Sequence, residues 1–330
     1  MKQVLTFGEL LIRLQSNSSA FIRHENDNVI TAFAGGSEAN VSVALAQLQV
    51  PVSYFTAVPD NAITQEIITV LQHNKVDTSK ILWQGDRIGT YILLSANGLT
   101  EGSVIYDRKY SSFSQLKPED INWDALFEGC SWLHFTALTP GLTLDMANLM
   151  EVALKEAVKR HLTISIDLNY RNKLWQYGKS PLDVMPQLVQ YCDVIMGNIW
   201  AENKMLGTSI DASLNRDTNQ QSYTEYANTI AAEIFAEYPK CRHIANTFRF
   251  MDNASHNLLY GTYHTPDGNW VSEKLETNNV VDRIGSGDAF MAGLIYGIYN
   301  NLQPQQIIDA ATKTGFEKLF VAGDFTKTIL

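Results

Sequence analysis

Short β-rich runs alternate with helical patterns along almost the whole chain, and this alternation limits the folds open to it. Val4–Phe7, Val52–Ala57, Trp132–Thr136, Thr163–Ile166, Val194–Met196 and His243–Asn246 read as buried strands. Helical patterns occupy Glu38–Leu48, Ala62–His73, Leu144–Arg160, Gln187–Tyr191, Ser222–Glu237, Asp288–Tyr299 and Pro304–Phe320. Strands separated by helices argue for an α/β fold, a mostly parallel sheet with helices on both faces. In such sheets ligands bind beyond the carboxyl ends of the strands. Asp167 to Arg171, Asn198, and Thr247 to Arg249 fall at such ends.

Two stretches break the rhythm. Arg13 to Ile30 is polar and weakly periodic. Thr90 to Lys109 reads as two strands, Thr90–Ser95 and Ser103–Asp107, joined by the turn signals Asn97-Gly98 and Glu101-Gly102. A hairpin inserted between α/β units suits a lid; an ordinary surface excursion is the plain alternative.

Composition narrows the function classes. Hydrophobic residues make up 45% and charged residues 18%, as in a globular protein with a sizeable core. The length suits one large domain or two small ones. With 25 basic and 35 acidic residues the net charge is −10, which argues against general affinity for nucleic acid or an anionic membrane. An anionic substrate must therefore be met by local positive groups. Cys130, Cys192 and Cys241 show no metal-ligand spacing and suggest a reducing compartment. Glu9 interrupts the first apolar run too early for a signal peptide, and the run from Phe290 to Tyr299 is far short of the ~18 residues of a membrane span. Gly178-Lys179-Ser180 has the ending of a P-loop, but Lys173 stands where its first glycine belongs. The histidines show no ligand spacing, so no metal is expected beyond one carried with a nucleotide.

The chemistry concentrates in Asp282-Arg283-Ile284-Gly285-Ser286-Gly287-Asp288-Ala289-Phe290. Gly285 and Gly287 let the backbone turn tightly and leave its N–H groups uncovered. The apolar residues that follow open a helix, whose first N–H groups lack intrahelical partners and whose N-terminus is partially positive. Such a turn binds anions. With Asp288 beside it, the turn suits phosphoryl transfer: the anion hole takes phosphate charge and the carboxylate takes a hydroxyl proton. Read plainly, Asp288 is only a carboxylate favoured by the helix dipole.

Gly35-Gly36-Ser37-Glu38-Ala39-Asn40 precedes the first helical run. Its pattern GG-x-x-x-N, paired with the late D-x-x-G-[AS]-G-D, resembles the ribokinase-like (PfkB) family of sugar kinases over essentially the whole chain. The resemblance implies a single domain over 1–330, a doubly wound sheet with a small β-sheet lid at about 13–33 and 88–110. Tyr106-Asp107-Arg108, Asn169-Tyr170-Arg171, Gly89-Thr90-Tyr91, Thr247-Phe248-Arg249, Asn253 to Asn257 and Gly323-Asp324-Phe325 look like the 2-keto-3-deoxygluconate kinase branch. The resemblance implies that Gly35, Gly36, Asn40, Tyr91, Tyr106, Arg108 and Arg171 hold a sugar acid. It implies that Asn169, Asn198, Thr247, Arg249, Gly285 and Gly287 meet ATP, that Gly285, Ser286 and Gly287 form the anion hole, and that Asp288 is the base. An arginine fork suits a carboxylate; on the residues alone Arg108 could be a solvated strand residue and Arg171 half of a structural ion pair. The chain departs from the family's N-x-x-E pattern: Ala201 lies three residues after Asn198, with Glu202 one step later. Glu202 is the one candidate for organising Mg²⁺. Arg249 stands where the nucleotide loop often has glycine. The implied protein is cytoplasmic, takes ATP, Mg²⁺ and a sugar acid, and self-associates through its lid.

Overall fold

The computed structural model describes residues 2–16, 21, 29–94 and 103–327. Its strands are β1 (Gln3–Phe7), β2 (Leu11–Ser16), β3 (Ile30–Gly35), β4 (Val52–Phe55), β5 (Ala57–Val58), β6 (Leu82–Trp83), β7 (Gly89–Leu94), β8 (Ser103–Asp107), β9 (Cys130–Thr136), β10 (Thr163–Asp167), β11 (Val194–Gly197), β12 (His243–Phe250), β13 (Asn257–Thr265), β14 (Gly268–Val271) and β15 (Leu275–Thr277). Its helices are α1 (Ser37–Gln47), α2 (Ala62–His73), α3 (Trp123–Phe127), α4 (Leu144–Lys159), α5 (Pro181–Val189), α6 (Ile199–Leu206), α7 (Gln220–Glu237), α8 (Ser286–Tyr299) and α9 (Pro304–Glu317).

Among the described residues the large sheet runs β14-β13-β12-β11-β10-β9-β1-β4, with β15 also on β13. From β12 to β4 every pairing is parallel. The chain leaves β1 toward β4, then returns to β9 on the other side of β1. The strand order therefore reverses between β1 and β9, and a crevice opens beyond the carboxyl ends there.

Successive residues of the central strands point to opposite faces, and both faces are covered. Leu5, Leu133, Ile164, Ile166 and Ile195 pack with Met150 and Leu154 of α4, Met185 of α5 and Ile230 of α7. Val4, Val52, Val194 and Ala245 pack with Leu45 of α1, Ile67 of α2, Leu294 of α8 and Ile308 of α9. Burial on two faces explains why these strands read as continuous apolar runs. Each fully buried Leu or Ile contributes roughly 1.5–3 kcal/mol, and truncating one such as Leu154 to alanine costs about 2–5 kcal/mol.

A separate small sheet has the order β3-β2-β7-β8. β2 pairs with β3 antiparallel and with β7 in parallel, and β7 pairs with β8 antiparallel. The turn signals Asn97-Gly98 and Glu101-Gly102, the end of the expected strand at Ser95, and most of the polar stretch after Arg13 (residues 17–20 and 22–28) lie outside the described residues.

Elsewhere the structure corrects the sequence reading. The helix expected at Gln187–Tyr191 begins earlier, at Pro181, where proline has no N–H to lose and the Ser180 N–H donates to Asp183 Oδ2 at 2.8 Å. α6 was not expected; Asn198 caps its start and Gly207, at φ 76°, ends it. Thr247-Phe248-Arg249 is strand rather than loop, because β12 continues against the antiparallel β13 through Thr247–Gly261 and Arg249–Leu259. The expected helix Pro304–Phe320 ends at Glu317, and a 3-10 turn follows. Among the described residues no helix is long and apolar enough to cross a membrane.

Candidate active site

Two helix N-termini meet at the crevice. Gly36 leads into α1 with φ 121°, and a Cβ there would lie 2.3 Å from the Glu9 carbonyl oxygen, so only glycine fits. Gly285 leads into α8 with φ 82°, and its Cβ would lie 2.3 Å from the Asp324 carbonyl oxygen. These entries bring Asp288, in the first turn of α8, against the first turns of α1. The Asn40 Nδ2 donates to Asp288 Oδ2 at 2.7 Å, and the Ser37 Oγ donates to Oδ1. The Asn169 Nδ2 donates to Ser37 Oγ at 3.2 Å, and the Asn169 N–H to Asp167 Oδ1 at 2.9 Å. Burial pushes the Asp288 carboxyl above its ordinary range, opposed by the hydrogen bonds from Ser37 and Asn40. Burial, reinforced by the Asp288 charge, pushes Asp167 up to about 7. Asp288 is thus an oriented carboxylate of raised basicity, the condition for accepting a proton near neutral pH.

The anion hole differs in detail from expectation. The Ser286 N–H donates to the Arg283 carbonyl at 3.2 Å, and its Oγ to the Gly315 carbonyl at 2.8 Å. Ser286 therefore fastens the turn to α9. No protein acceptor takes the Gly287 N–H among the described residues, and nothing lies within 4 Å of where its Cβ would be. The Gly285 and Asp288 N–H groups likewise have no protein acceptor among the described residues, so Gly285, Gly287 and Asp288, at the positive end of α8, leave backbone donors free for an anion.

A cleft of about 510 Å³ opens here, a size suited to small ligands. It is lined by Gly36, Asn40, Tyr91, Tyr106 and Arg108 from α1 and the small sheet side. From the large sheet it takes Asn169, Arg171, Asn198, Thr247 and Arg249, and from the turn Gly285, Ser286, Gly287 and Asp288. Of the sequence-derived candidates, Gly35 and Glu202 do not line it. Gly35 is instead a spacer: a Cβ there would lie 2.4 Å from Asp324 Oδ1.

Arg108 is buried rather than solvated, and its Nε donates to Glu9 Oε2 at 2.6 Å. Arg171 is exposed in the cleft and makes no ion pair among the described residues; its Nη1 donates to the Tyr170 carbonyl at 3.1 Å. Arg249 is likewise exposed. The small sheet is fastened to the body by Arg13 of β2, which is fully buried. Its Nη2 lies 2.8 Å from Asp282 Oδ2 and its Nε 2.9 Å from Asp324 Oδ2, with its guanidinium over the Phe33 ring. The Tyr91 hydroxyl donates to Asp324 Oδ1 at 2.9 Å. Burial pushes Asp324 up to about 6, against the pull of Arg13.

Asn198 spends its side chain on capping, accepting the Ala201 N–H at 2.9 Å. Ala201 lines the cleft. Glu202 is fully buried, accepts the Asn246 Nδ2 at 2.6 Å, and has no partner on Oε2. Burial pushes it up to about 7. No local shift brings it into the cleft. Among the described residues no cluster of three metal-ligating side chains occurs.

Sequence reasoning placed Asp167 at a strand end but gave it no role, and it missed Ser37, Glu9, Asp324 and Arg13 as members of this constellation. Ser37 and Asp324 lie inside motifs already singled out, and Asp167 directly follows the predicted strand Thr163–Ile166. Glu9 and Arg13 gave no signal, because a lone charge after a short strand reads as solvated.

The comparisons with known proteins agree with this architecture. The model for pfkB family carbohydrate kinases matches residues 1–234. The solved structure of a 2-dehydro-3-deoxygluconokinase from Thermotoga maritima is similar with a TM-score of 0.88 at 31% identity, covering 99% of this chain and 97% of that one. A 2-dehydro-3-deoxygalactonokinase from Haloferax volcanii is 25% identical over 323 residues, 98% of this chain and 92% of its own length. A 5-dehydro-2-deoxygluconokinase from Geobacillus thermodenitrificans is 24% identical over 300 residues, 90% of this chain and 81% of its own.

Proposed function

The chain belongs to the pfkB family of carbohydrate kinases, and on that premise we propose that it phosphorylates the primary hydroxyl of a dehydro-deoxy sugar acid with ATP. The substrate we propose is 2-keto-3-deoxygluconate. The observation that carries this is the meeting of Asp288 with arginines in one cleft: an oriented base at a helix N-terminus, with Arg108 and Arg171 on the same cavity. A neutral hexose has no need of two guanidinium forks; a sugar acid has a use for at least one of them. The names of the three relatives share a dehydro-deoxy sugar acid, which supports the class more firmly than any one member of it.

In the proposed reaction the sugar's primary hydroxyl donates its proton to Asp288 as its oxygen attacks the γ-phosphorus in line. Asn40 and Ser37 hold the carboxylate in position. The Gly287 N–H and the α8 N-terminus stabilise charge on the moving phosphoryl group. The small sheet, with Tyr91, Tyr106 and Arg108, acts as a lid that excludes water. Thr247 and Arg249, which line the same cleft, are assigned to the nucleotide on this reading. Among the described residues no three metal-ligating side chains cluster, so a Mg²⁺ ion would be held chiefly by the nucleotide phosphates and water, and would supply neutralisation of phosphate charge.

The test is product identity: ATP with 2-keto-3-deoxygluconate, its galacto epimer, 5-keto-2-deoxygluconate, gluconate, fructose and a nucleoside as acceptors. The proposal expects a phosphorylated keto-deoxy acid with the highest kcat/KM. Preference for fructose or the nucleoside would overturn the sugar-acid assignment. Tight binding of the acid with no phosphorylated product would overturn the kinase assignment.

A further inference from the structure

Arg108 differs from the other cleft arginines in being held. It follows β8 of the small sheet, while Glu9 follows β1 of the large one, so their bond joins the two sheets. The Glu9 carboxylate is 3% exposed and uses both oxygens. Oε2 accepts the Arg108 Nε at 2.6 Å, and Oε1 accepts the Ser111 Oγ at 2.5 Å. Room for it is reserved by Gly89, where a Cβ would lie 2.4 Å from Glu9 Oε1. A guanidinium gripped at Nε has its plane fixed, and no protein acceptor takes either Arg108 terminal nitrogen among the described residues. Those nitrogens belong to a side chain that lines the cleft.

We propose that Glu9 is a positioning residue that holds the Arg108 fork toward the substrate and so sets the recognition of the sugar's acidic end. This rests on the reading of the substrate as a sugar acid. Without Glu9 the guanidinium keeps its charge but loses its fixed plane, and binding must then order a side chain with several free rotations. Glu9 acts only through Arg108, so its effect must vanish when Arg108 is gone.

The experiment is a double-mutant cycle of Glu9→Gln and Arg108→Met, read as kcat and KM for 2-keto-3-deoxygluconate. Glu9→Gln is expected to raise KM by roughly 10- to 100-fold, the scale of a charged hydrogen bond, with a much smaller change in kcat. The double variant should be no worse than Arg108→Met alone. Losses that multiply, or an unchanged KM in Glu9→Gln, overturn the proposal. Should Glu9→Gln fail to fold, Ser111→Ala removes one hydrogen bond to Glu9 and leaves both charges. It is expected to raise KM about 3- to 10-fold, and no rise overturns the proposal equally. If the wild-type enzyme turns over no sugar acid, the functional reading falls by itself. The same cycle on the sugar it does phosphorylate then decides Glu9, multiplying losses again overturning it.

Discussion

Glu202→Gln separates a buried structural carboxyl from a metal-organising one. Glu202 has no exposure, one hydrogen bond from Asn246, and an unpartnered Oε2. Burial raises its pKa from 4.5 to about 7. A raised folded-state pKa means that the folded chain holds this proton more tightly than the unfolded chain does. The stabilisation is complete below the unfolded pKa and is lost as pH rises through about 7. One pKa unit is worth about 1.4 kcal/mol, so the full loss is about 3 kcal/mol, of which about 2–3 kcal/mol falls between pH 5 and pH 8. Glutamine keeps the shape and the oxygen that accepts from Asn246, and it does not ionise. Urea unfolding of both proteins at pH 5 and pH 8 should therefore show the variant gaining about 2–3 kcal/mol on the wild type at the higher pH. All other titrating groups cancel in that comparison. The Mg²⁺ concentration for half-maximal rate should not move. A stability difference flat with pH to within about 0.5 kcal/mol, or a raised Mg²⁺ requirement, would refute the reasoning; the second would mean that Glu202 reaches the cleft in the working enzyme.

Asp288→Asn should lower kcat by roughly 10²–10⁴-fold, the range for a positioned general base, with a far smaller change in sugar affinity; near-normal turnover would make it a helix-terminus carboxylate only. Arg171→Lys keeps the charge but loses the fork, and should reduce kcat/KM for the sugar acid by about 5- to 150-fold while sparing a neutral sugar. Equal losses on both substrates would assign Arg171 to phosphate or to structure. Arg13→Met leaves Asp282 and Asp324 without their buried cation, and should destabilise the fold by roughly 3–5 kcal/mol in urea titrations. A loss under about 1 kcal/mol would show that this ion pair does not fasten the small sheet.

The parallel core was legible because its strands are buried on both faces, and sustained apolar runs are the one pattern that survives without context. The helix entries at Gly36 and Gly285 were legible because glycine there answers a backbone need visible in sequence. The antiparallel extension β13–β15 was not. Its strands pair antiparallel with one another and with β12, all close in sequence, but buried polar residues such as Asn257, Thr262 and His264 interrupt the apolar signal. Thr247 to Arg249 misled because only the partner strand converts that segment from loop to strand. Glu9, Arg13 and Glu202 were opaque because sequence does not say whether a charge is solvated or buried against a partner. The answer in each case lies with residues far along the chain: Arg108, Asp282 with Asp324, and Asn246.

The distribution of charge in the cleft follows from that burial. A net charge of −10 offers an anionic substrate no general attraction. Inside the cleft, burial weakens the acidity of Asp167, Asp288 and Asp324, pushing all three carboxyls upward. Asp167, pushed up to about 7, is partly neutral near pH 7, which lessens repulsion of incoming phosphate and carboxylate groups. Arg171 and Arg249 remain exposed and without carboxylate partners among the described residues, so on the proposed function they are the groups that would supply the local attraction. Arg108 is already balanced by Glu9, so its contribution is direction rather than net charge. On the function proposed above, long-range attraction would belong to Arg171 and Arg249, and discrimination of the bound sugar to Arg108. The first should weaken with ionic strength, whereas the second, buried and short-ranged, should persist.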